Sequence, residues 1–390
     1  MSQSKAFGAI YLSVAISYLG VGLVAPLIAS VLAEHGENSF VVGLIGTTMF
    51  ATFTLSSFPV GAATDRIGPK PILVGGLILY GSSIALFSLK LTTGLFFMAR
   101  AIEGVGAAAI SVATETMISK LSKPNERARR MSYYALSVGI GWAAGPLAGA
   151  LLFKVRPGLP FIACFALSLM AAVVAQALIP ETASTSHHLE GITKRLTRRI
   201  IVPMSAGALY GYLMSSLITL VPLYLKQEMG IKETEVGVII TAVIIGTLAS
   251  QVPIGHAADR FGKRKTLLVC SFAMAVIFLL MAFHHDWRLF ILTGAAIGSA
   301  AGSLYPIGVA IIGGMVAKER LGAATSMFSL AFGFGSLVGP SVSGLAMTHL
   351  GNRWLFYLPS MLAAVFALEL IALYKRTSSQ RKTKPEEARQ

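Results

Sequence analysis

The chain has 390 residues, is 55 % apolar and only 13 % charged, and has a mean hydropathy of +0.72. A water-soluble domain carries about 25 % charged residues, so the composition points to a membrane as the solvent. The net charge of +15 raises the question of a nucleic-acid partner, which the placement of the charges answers in the negative below.

The first apolar run, Phe7 to Ala33, exceeds the roughly 7–15 residues of a signal-peptide core and is read as a retained span. Its segment Tyr18-Leu19-Gly20-Val21-Gly22-Leu23-Val24-Ala25-Pro26 holds no acid. Further spans are predicted over 40–64, 71–89, 93–118, 131–154 and 157–179, each near the about 20 residues that a crossing needs. These six make an N-terminal half, 1–179. Residues 180–199 break the pattern with Ser, Thr, His187, His188 and the basic run Lys194, Arg195, Arg198 and Arg199, and read as a cytoplasmic linker. Spans at 200–226, 235–257, 266–283, 288–316, 322–347 and 352–375 make the C-terminal half, 200–375. The charged remainder, 376–390, lacks apolar periodicity and is predicted to be a disordered cytoplasmic tail.

Lysine and arginine set the orientation. With the N-terminus inside, the outer loops keep only Lys90, Lys154, Arg156, Lys226, Lys232, Arg288 and Arg353 of the 32 basic residues. Arg100 lies within a span, and all the others fall on the inner loops, the linker and the termini. The positive charge is therefore a cytoplasmic feature facing anionic lipid, not a nucleic-acid footprint. A multi-pass plasma (inner) membrane protein with both termini cytoplasmic is expected.

The two halves repeat. Gly61-x-x-x-Asp65-Arg66-x-Gly68-x-Lys70 returns 194 positions on as Gly255-x-x-x-Asp259-Arg260-x-Gly262-x-Arg264. Gly141-x-x-x-Gly145-Pro146 returns at the same offset as Gly335-x-x-x-Gly339-Pro340. A half-chain that repeats with its apolar segments in register marks a two-halved transporter. Pro146 and Pro340 each remove a helix hydrogen bond and bend their spans. The flanking glycines are expected to let the fifth span pack on a helix of the opposite half, forming a seam for rocking; ordinary small-residue packing is the plainer alternative.

The duplicated loop signature after the second and eighth spans resembles that of the major facilitator superfamily. Arg100-Ala101-Ile102-Glu103-Gly104-Val105-Gly106 in the fourth span looks like that family's Arg-x-x-Gln-Gly-x-Gly motif, and Gly141-x-x-x-Gly145-Pro146-x-x-Gly149 looks like its antiporter motif, which marks exporters. The resemblance is strongest to the twelve-span drug:proton antiporter branch. It implies an all-α fold of two pseudo-symmetric six-helix halves. It also implies that Gly61, Asp65, Arg66 and Gly68, with Asp259, Arg260 and Gly262, latch the halves in the outward-facing state. The first copy departs from the family at Pro69, where a basic residue is usual, and the fourth-span motif departs at Glu103, where glutamine is usual.

Intramembrane charges are functional candidates by default. Arg100 and Glu103 are three apart, share a helix face and can pair. Two readings stand: proton handling, with Glu103 as the titrating acid and Arg100 holding its carboxylate, or a static structural pair. Glu115, about 18 Å further along the same helix, is a second proton station, an amphiphile-binding carboxylate or a cap of the cytoplasmic end. Glu369 in the last span and His256 in the second loop signature are weaker candidates. By resemblance the central cavity draws on spans 1, 4, 7 and 10, offering Tyr18, Tyr210, Tyr212, Met214, Ser215, Ser216 and Tyr305 beside Glu103. Such a lining suits a hydrophobic or amphiphilic small molecule.

No metal-ligand spacing, no catalytic constellation and no phosphate-binding loop stands in the sequence. The expectation is therefore a non-enzymatic secondary transporter without cofactors. It would work as a monomer by alternating access and export its solute against protons, with the proton gradient as driving force. Export of one defined metabolite (a sugar, amino acid, siderophore or lipid) and a transporter-like sensor remain the alternatives. Cys164 and Cys270 are read as buried packing residues.

Overall fold

The computed structural model describes residues 3–89, 92–123, 126–181, 201–313, 315 and 321–387. Among them are 12 helices long and apolar enough to cross a membrane. They are α1 (Gln3–Glu34), α2 (Ser39–Ile67), α3 (Pro69–Ala85), α4 (Thr93–Leu121), α5 (Arg127–Val155), α6 (Leu159–Leu178), α7 (Ile201–Met229), α8 (Glu233–Phe261), α9 (Lys263–Phe283), a divided tenth span, α11 (Leu321–Leu350) and α12 (Trp354–Glu387). The tenth span consists of α10a (Trp287–Gly302) and α10b (Leu304–Gly313). The predicted linker lies outside the described residues from 182 onward. The face carrying the α1–α2 turn is here called upper, and the face carrying the α2–α3 turn lower.

The turns between helices are built twice. Gly36 and Gly230 end α1 and α7 at φ of 79° and 60°, and Gly68 and Gly262 join α2 to α3 and α8 to α9 at φ of 90° and 97°. Both pairs lie 194 positions apart, and each needs a left-handed backbone that only glycine adopts freely. The Asn38 side chain accepts from the Val41 N–H at 2.9 Å and starts α2, and Asp286 starts α10a by accepting from the Arg288 N–H at 2.9 Å.

The tenth span is not the continuous helix expected from its hydropathy. Pro306 has no N–H to give Gly302, and its ring would collide with that carbonyl. The helix therefore ends at Gly302 and restarts at Leu304. At the C-terminus α12 runs on to Glu387, so residues 376–387 are helical where composition suggested disorder. No glycine or proline interrupts that stretch before Pro385.

Glycines set the helix contacts within each half. Gly145 of α5 meets Gly22 of α1 so closely that a Cβ on Gly22 would lie 2.9 Å from the Gly145 Cα, and one on Gly141 would lie 2.7 Å from the Ala15 carbonyl. In the second half, Gly335 abuts Ala208 of α7, and a Cβ on Gly339 would lie 2.6 Å from Ser215 Oγ. The expectation that these glycines face the opposite half is thus corrected: they bind α5 to α1 and α11 to α7, inside one half each.

Contact between the halves uses the prolines instead. A Cβ on Gly237 of α8 would sit 2.8 Å from the Pro146 carbonyl of α5, and Gly43 of α2 lies against the Pro340 carbonyl of α11 in the same manner. Gly43 and Gly237 are themselves 194 apart. Beside Gly43, the Thr47 hydroxyl donates to the Leu337 carbonyl at 3.1 Å and accepts from the Ser341 N–H at 3.2 Å, entering the α11 ladder next to Pro340. The Phe40 N–H donates to Thr348 Oγ1 at 3.0 Å, and Lys226 Nζ lies 3.3 Å from Glu34. Among the described residues, all these bridges between halves sit toward the upper face. Toward the lower face, a Cβ on Gly61 or Gly255 would meet nothing within 4 Å.

Candidate functional site

A cavity of about 1530 Å³ lies between the halves. It is larger than the roughly 300–1,000 Å³ of an ordinary small-molecule pocket. Its upper lining, including Val24, Thr219, Val221 and Ile239, is buried, whereas its lower lining, including Phe58, Glu115, Gln251 and Leu330, is exposed. The cavity therefore opens on the lower face and is shut above by the Gly43–Pro340 and Gly237–Pro146 contacts.

Three charged side chains line the cavity among the described residues: Arg100, Glu103 and Glu115. All three stand on α4. Glu103 is 3 % exposed and Arg100 8 %. Arg100 Nη1 donates to both Glu103 oxygens, at 3.0 and 2.9 Å. A charge this deep survives only when paired, and the i, i+3 spacing on one helix supplies the partner without help from any other element. Arg100 Nε is buried with no protein acceptor, so the guanidinium keeps a donor free inside the site. Gly104, beside Glu103, lets α4 press onto Met49 and Thr52 of α2. That contact holds the pair at the cavity wall.

Glu115 differs from Glu103. It is exposed to the cavity and makes no hydrogen bond or ion pair among the described residues. It lies within electrostatic reach of Tyr18 and Tyr134 in its own half and of Tyr305 in the other. Opposite it stands an aromatic wall. Tyr210 of α7, Tyr305 of α10b and Phe332 of α11 pack with ring centroids 5.7 to 6.0 Å apart, and Phe328 extends the group at 5.0 Å from Tyr305.

Of the lining expected from sequence, Tyr18, Glu103, Tyr210, Met214 and Tyr305 reach the cavity, as do Arg100 and Glu115. Tyr212, Ser215 and Ser216 do not. They turn into the α7–α11 contact, where Tyr212 Oη and Ser216 Oγ lie 2.6 and 3.0 Å from Ser343 Oγ. Sequence reasoning also missed α2, α8 and α11 as walls, with Phe50, Phe53, Gln251 and Phe332 among their contributions; Trp142 of α5, open from the sequence to a cavity or a lipid position, lines the cavity. The lower-face residues Asp65 and Asp259 make no ion pair among the described residues, and Arg66 and Arg260 are exposed. Lys263 of the second copy donates to the Ala310 carbonyl at 2.8 Å, near the end of α10b. His256 is exposed, and Glu369 accepts from Ser205 Oγ at 3.2 Å away from the cavity. Cys164 and Cys270 are free and buried.

The profile of the Major Facilitator Superfamily matches residues 10–203 and again 203–390. The chain belongs to the Major Facilitator Superfamily. It is 28 % identical over 375 residues to the uncharacterized MFS-type transporter YfkF of Bacillus subtilis (strain 168), covering 94 % of each chain. It is 25 % identical over 359 residues to multidrug resistance protein 2 of the same organism, covering 88 % of this chain and 90 % of that one. Among solved structures, a bacterial homolog to the human lysosomal transporter Spinster, in an inward-facing and occupied conformation, superposes with a TM-score of 0.79 at 13 % identity over 95 % of this chain and 97 % of that one. At that identity the likeness is one of fold. The superfamily assignment makes the chain a multi-pass membrane transporter of two six-helix halves.

Proposed function

We propose that the protein exports a hydrophobic or amphiphilic small molecule in exchange for protons, by alternating access, as a monomer in the plasma (inner) membrane with both termini cytoplasmic. The observation that carries this reading is the large, mainly apolar cavity between the halves, with one buried carboxylate–guanidinium pair in its wall. The likeness to a multidrug resistance protein supports the substrate class. The lysine and arginine bias supports a cytoplasmic lower face, so the open cavity loads from the cytoplasm.

Glu103 is the proton carrier in this mechanism. Its carboxylate is held by Arg100 while the cavity is empty of protons. Protonation from the opposite side frees the guanidinium, which then offers its donors to the cavity. Asp65 and Asp259 engage when the lower face closes and latch the outward-facing state, consistent with neither making an ion pair among the described residues while that face is open.

Proteoliposomes loaded with a pH-sensitive dye test the mechanism. Adding lipophilic cations, neutral drugs or metabolites should drive proton movement for one chemical class. Glu103→Gln should keep substrate binding and lose that movement, and Arg100→Met/Glu103→Gln, which removes both charges, serves as the folded control. Normal proton-driven export by Glu103→Gln would remove that residue as the coupling acid.

A further inference from the structure

A second hollow, of about 330 Å³, lies between α1 and α5. On α5 it is lined by Tyr133, Leu136 and Ile140, all exposed. They stand on the helix face opposite Ala135, Val138 and Trp142, which line the central cavity. The hollow therefore faces the bilayer. Its floor is Gly8 of α1, where a Cβ would meet nothing within 4 Å, so a side chain that α1 lacks opens it. Its lower end holds Arg130, whose guanidinium carbon lies 4.2 Å from the centre of the Phe7 ring. Arg130 Nη2 reaches Glu126 only at 3.4 Å, and Arg130 Nε is buried with no acceptor among the described residues. The walls are fixed before anything enters. The Tyr11 hydroxyl donates to the Arg130 carbonyl at 3.0 Å, and the Tyr133 ring meets Tyr11 edge-on at 6.1 Å.

Arg130 opens the membrane-spanning part of α5, so its charge sits at headgroup depth. From there to Ile140 the helix rises about 15 Å, the hydrocarbon depth of one leaflet. A cation, tyrosines beside it at the interface and an apolar channel toward mid-membrane match a phospholipid part by part. We infer that the hollow between α1 and α5 is a binding site for an anionic phospholipid of the lower leaflet, with its phosphate on Arg130 and an acyl chain along Leu136 and Ile140. Lys5, exposed and three residues before Gly8 on the same face of α1, adds a second positive charge at headgroup level. That charge favours an anionic headgroup over one carrying its own ammonium. The helix scaffold does not demand such a hollow. At the 194-residue offset, Phe7, Gly8, Tyr11 and Arg130 become Ile201, Val202, Ser205 and Ala324, with neither the cation nor the missing side chain. The site stands apart from the transport reading, which uses none of these residues.

The test is native mass spectrometry of the purified full-length protein in detergent, titrated with dioleoylphosphatidylglycerol, dioleoylphosphatidylcholine and dioleoylglycerol, which has no phosphate. One phosphatidylglycerol should bind about fivefold more tightly than phosphatidylcholine, and dioleoylglycerol most weakly. Arg130→Gln should weaken phosphatidylglycerol by about fivefold or more, and Arg130→Lys by less. Gly8→Leu, which fills the floor without touching a charge, should weaken it by about as much as Arg130→Gln and keeps the test decisive should that variant fail to fold. Lys265→Gln, which removes an exposed charge elsewhere on the lower face, should change it by less than about twofold. Equal affinity for the three lipids, an unchanged affinity in Gly8→Leu, or an equal loss in Lys265→Gln and Arg130→Gln would overturn the site. Displacement of the lipid by glycerol phosphate, a headgroup without chains, would show a free-phosphate site and overturn the lipid assignment.

Discussion

The two halves share a scaffold and differ in charge. Gly104 and Gly298, 194 positions apart, play the same part, pressing α4 onto α2 and α10a onto α8. Around them the chemistry diverges. The counterparts of Arg100, Glu103 and Glu115 at that offset are Gly294, Ile297 and Val309. The second half answers with an aromatic wall and with a break in α10 that the first half lacks. Duplication thus preserved what the helices need in order to pack, close contacts and left-handed turns, and left free what the cavity needs. One half holds the ionisable groups and the other the surface they face. The loop signatures diverge as well. Lys263 caps α10b in the second copy, while the first has Pro69, which opens α3 where no N–H partner is required.

The largest effect expected from breaking this asymmetry is at the ion pair. Arg100→Ala leaves Glu103 buried without a partner, which costs about 3–5 kcal/mol. A thermal melt in detergent should show a large drop in Tm. An unchanged melt would mean that the pair is not buried as described.

Next come the symmetric upper contacts. Gly43→Val and Gly237→Val each overpack this state by about 1–3 kcal/mol and leave the opposite state, where the halves part above, unaffected. Spin-label distances across the upper face should lengthen in both variants, and transport should fall. A response in one variant alone would show that the two crossings are not equivalent.

Asp65→Asn should leave stability within about 0.5 kcal/mol, because the residue makes no ion pair among the described residues in this state. Flux should nevertheless fall, since the closed lower face loses a charge. Wild-type flux in a folded, inserted variant would end the latch hypothesis. The smallest effect is expected from Lys263→Met, which removes one cap from α10b and should cost about 0.3–1 kcal/mol, seen as a small shift in Tm.

Much of this architecture is legible in the sequence because the bilayer is a harsh solvent. Spans of about 20 apolar residues and the paired turns at Gly68 and Gly262 follow from requirements that no packing can override. Arg100 and Glu103 are legible for the same reason, since a charge in a span must find a partner. What hides is helix orientation. Helix α7 is apolar on every side, so nothing in its pattern tells that Tyr210 faces the cavity while Tyr212 and Ser215 face α11. The direction of Gly141 and Gly145 hides likewise, because a small residue marks a close approach without naming the neighbour. The break at Ser303 leaves a trace in Pro306, which hydropathy passes over. Gly43 and Gly237 are visible too, through the same 194-residue offset that exposes the louder motifs.

Those two glycines carry a consequence for turnover. At these two crossings between halves, the smallest residue meets a backbone carbonyl, with no long side chain on the glycine side. Most contacts between protein surfaces freeze rotatable bonds as they form, and each frozen rotor opposes association entropically. Glycine has no rotor to lose. At these two crossings, closing the upper face joins rigid backbone to rigid backbone, so this part of the seal can form and part with little disorder surrendered or regained, while the neighbouring Lys226–Glu34 bridge must order side chains each time.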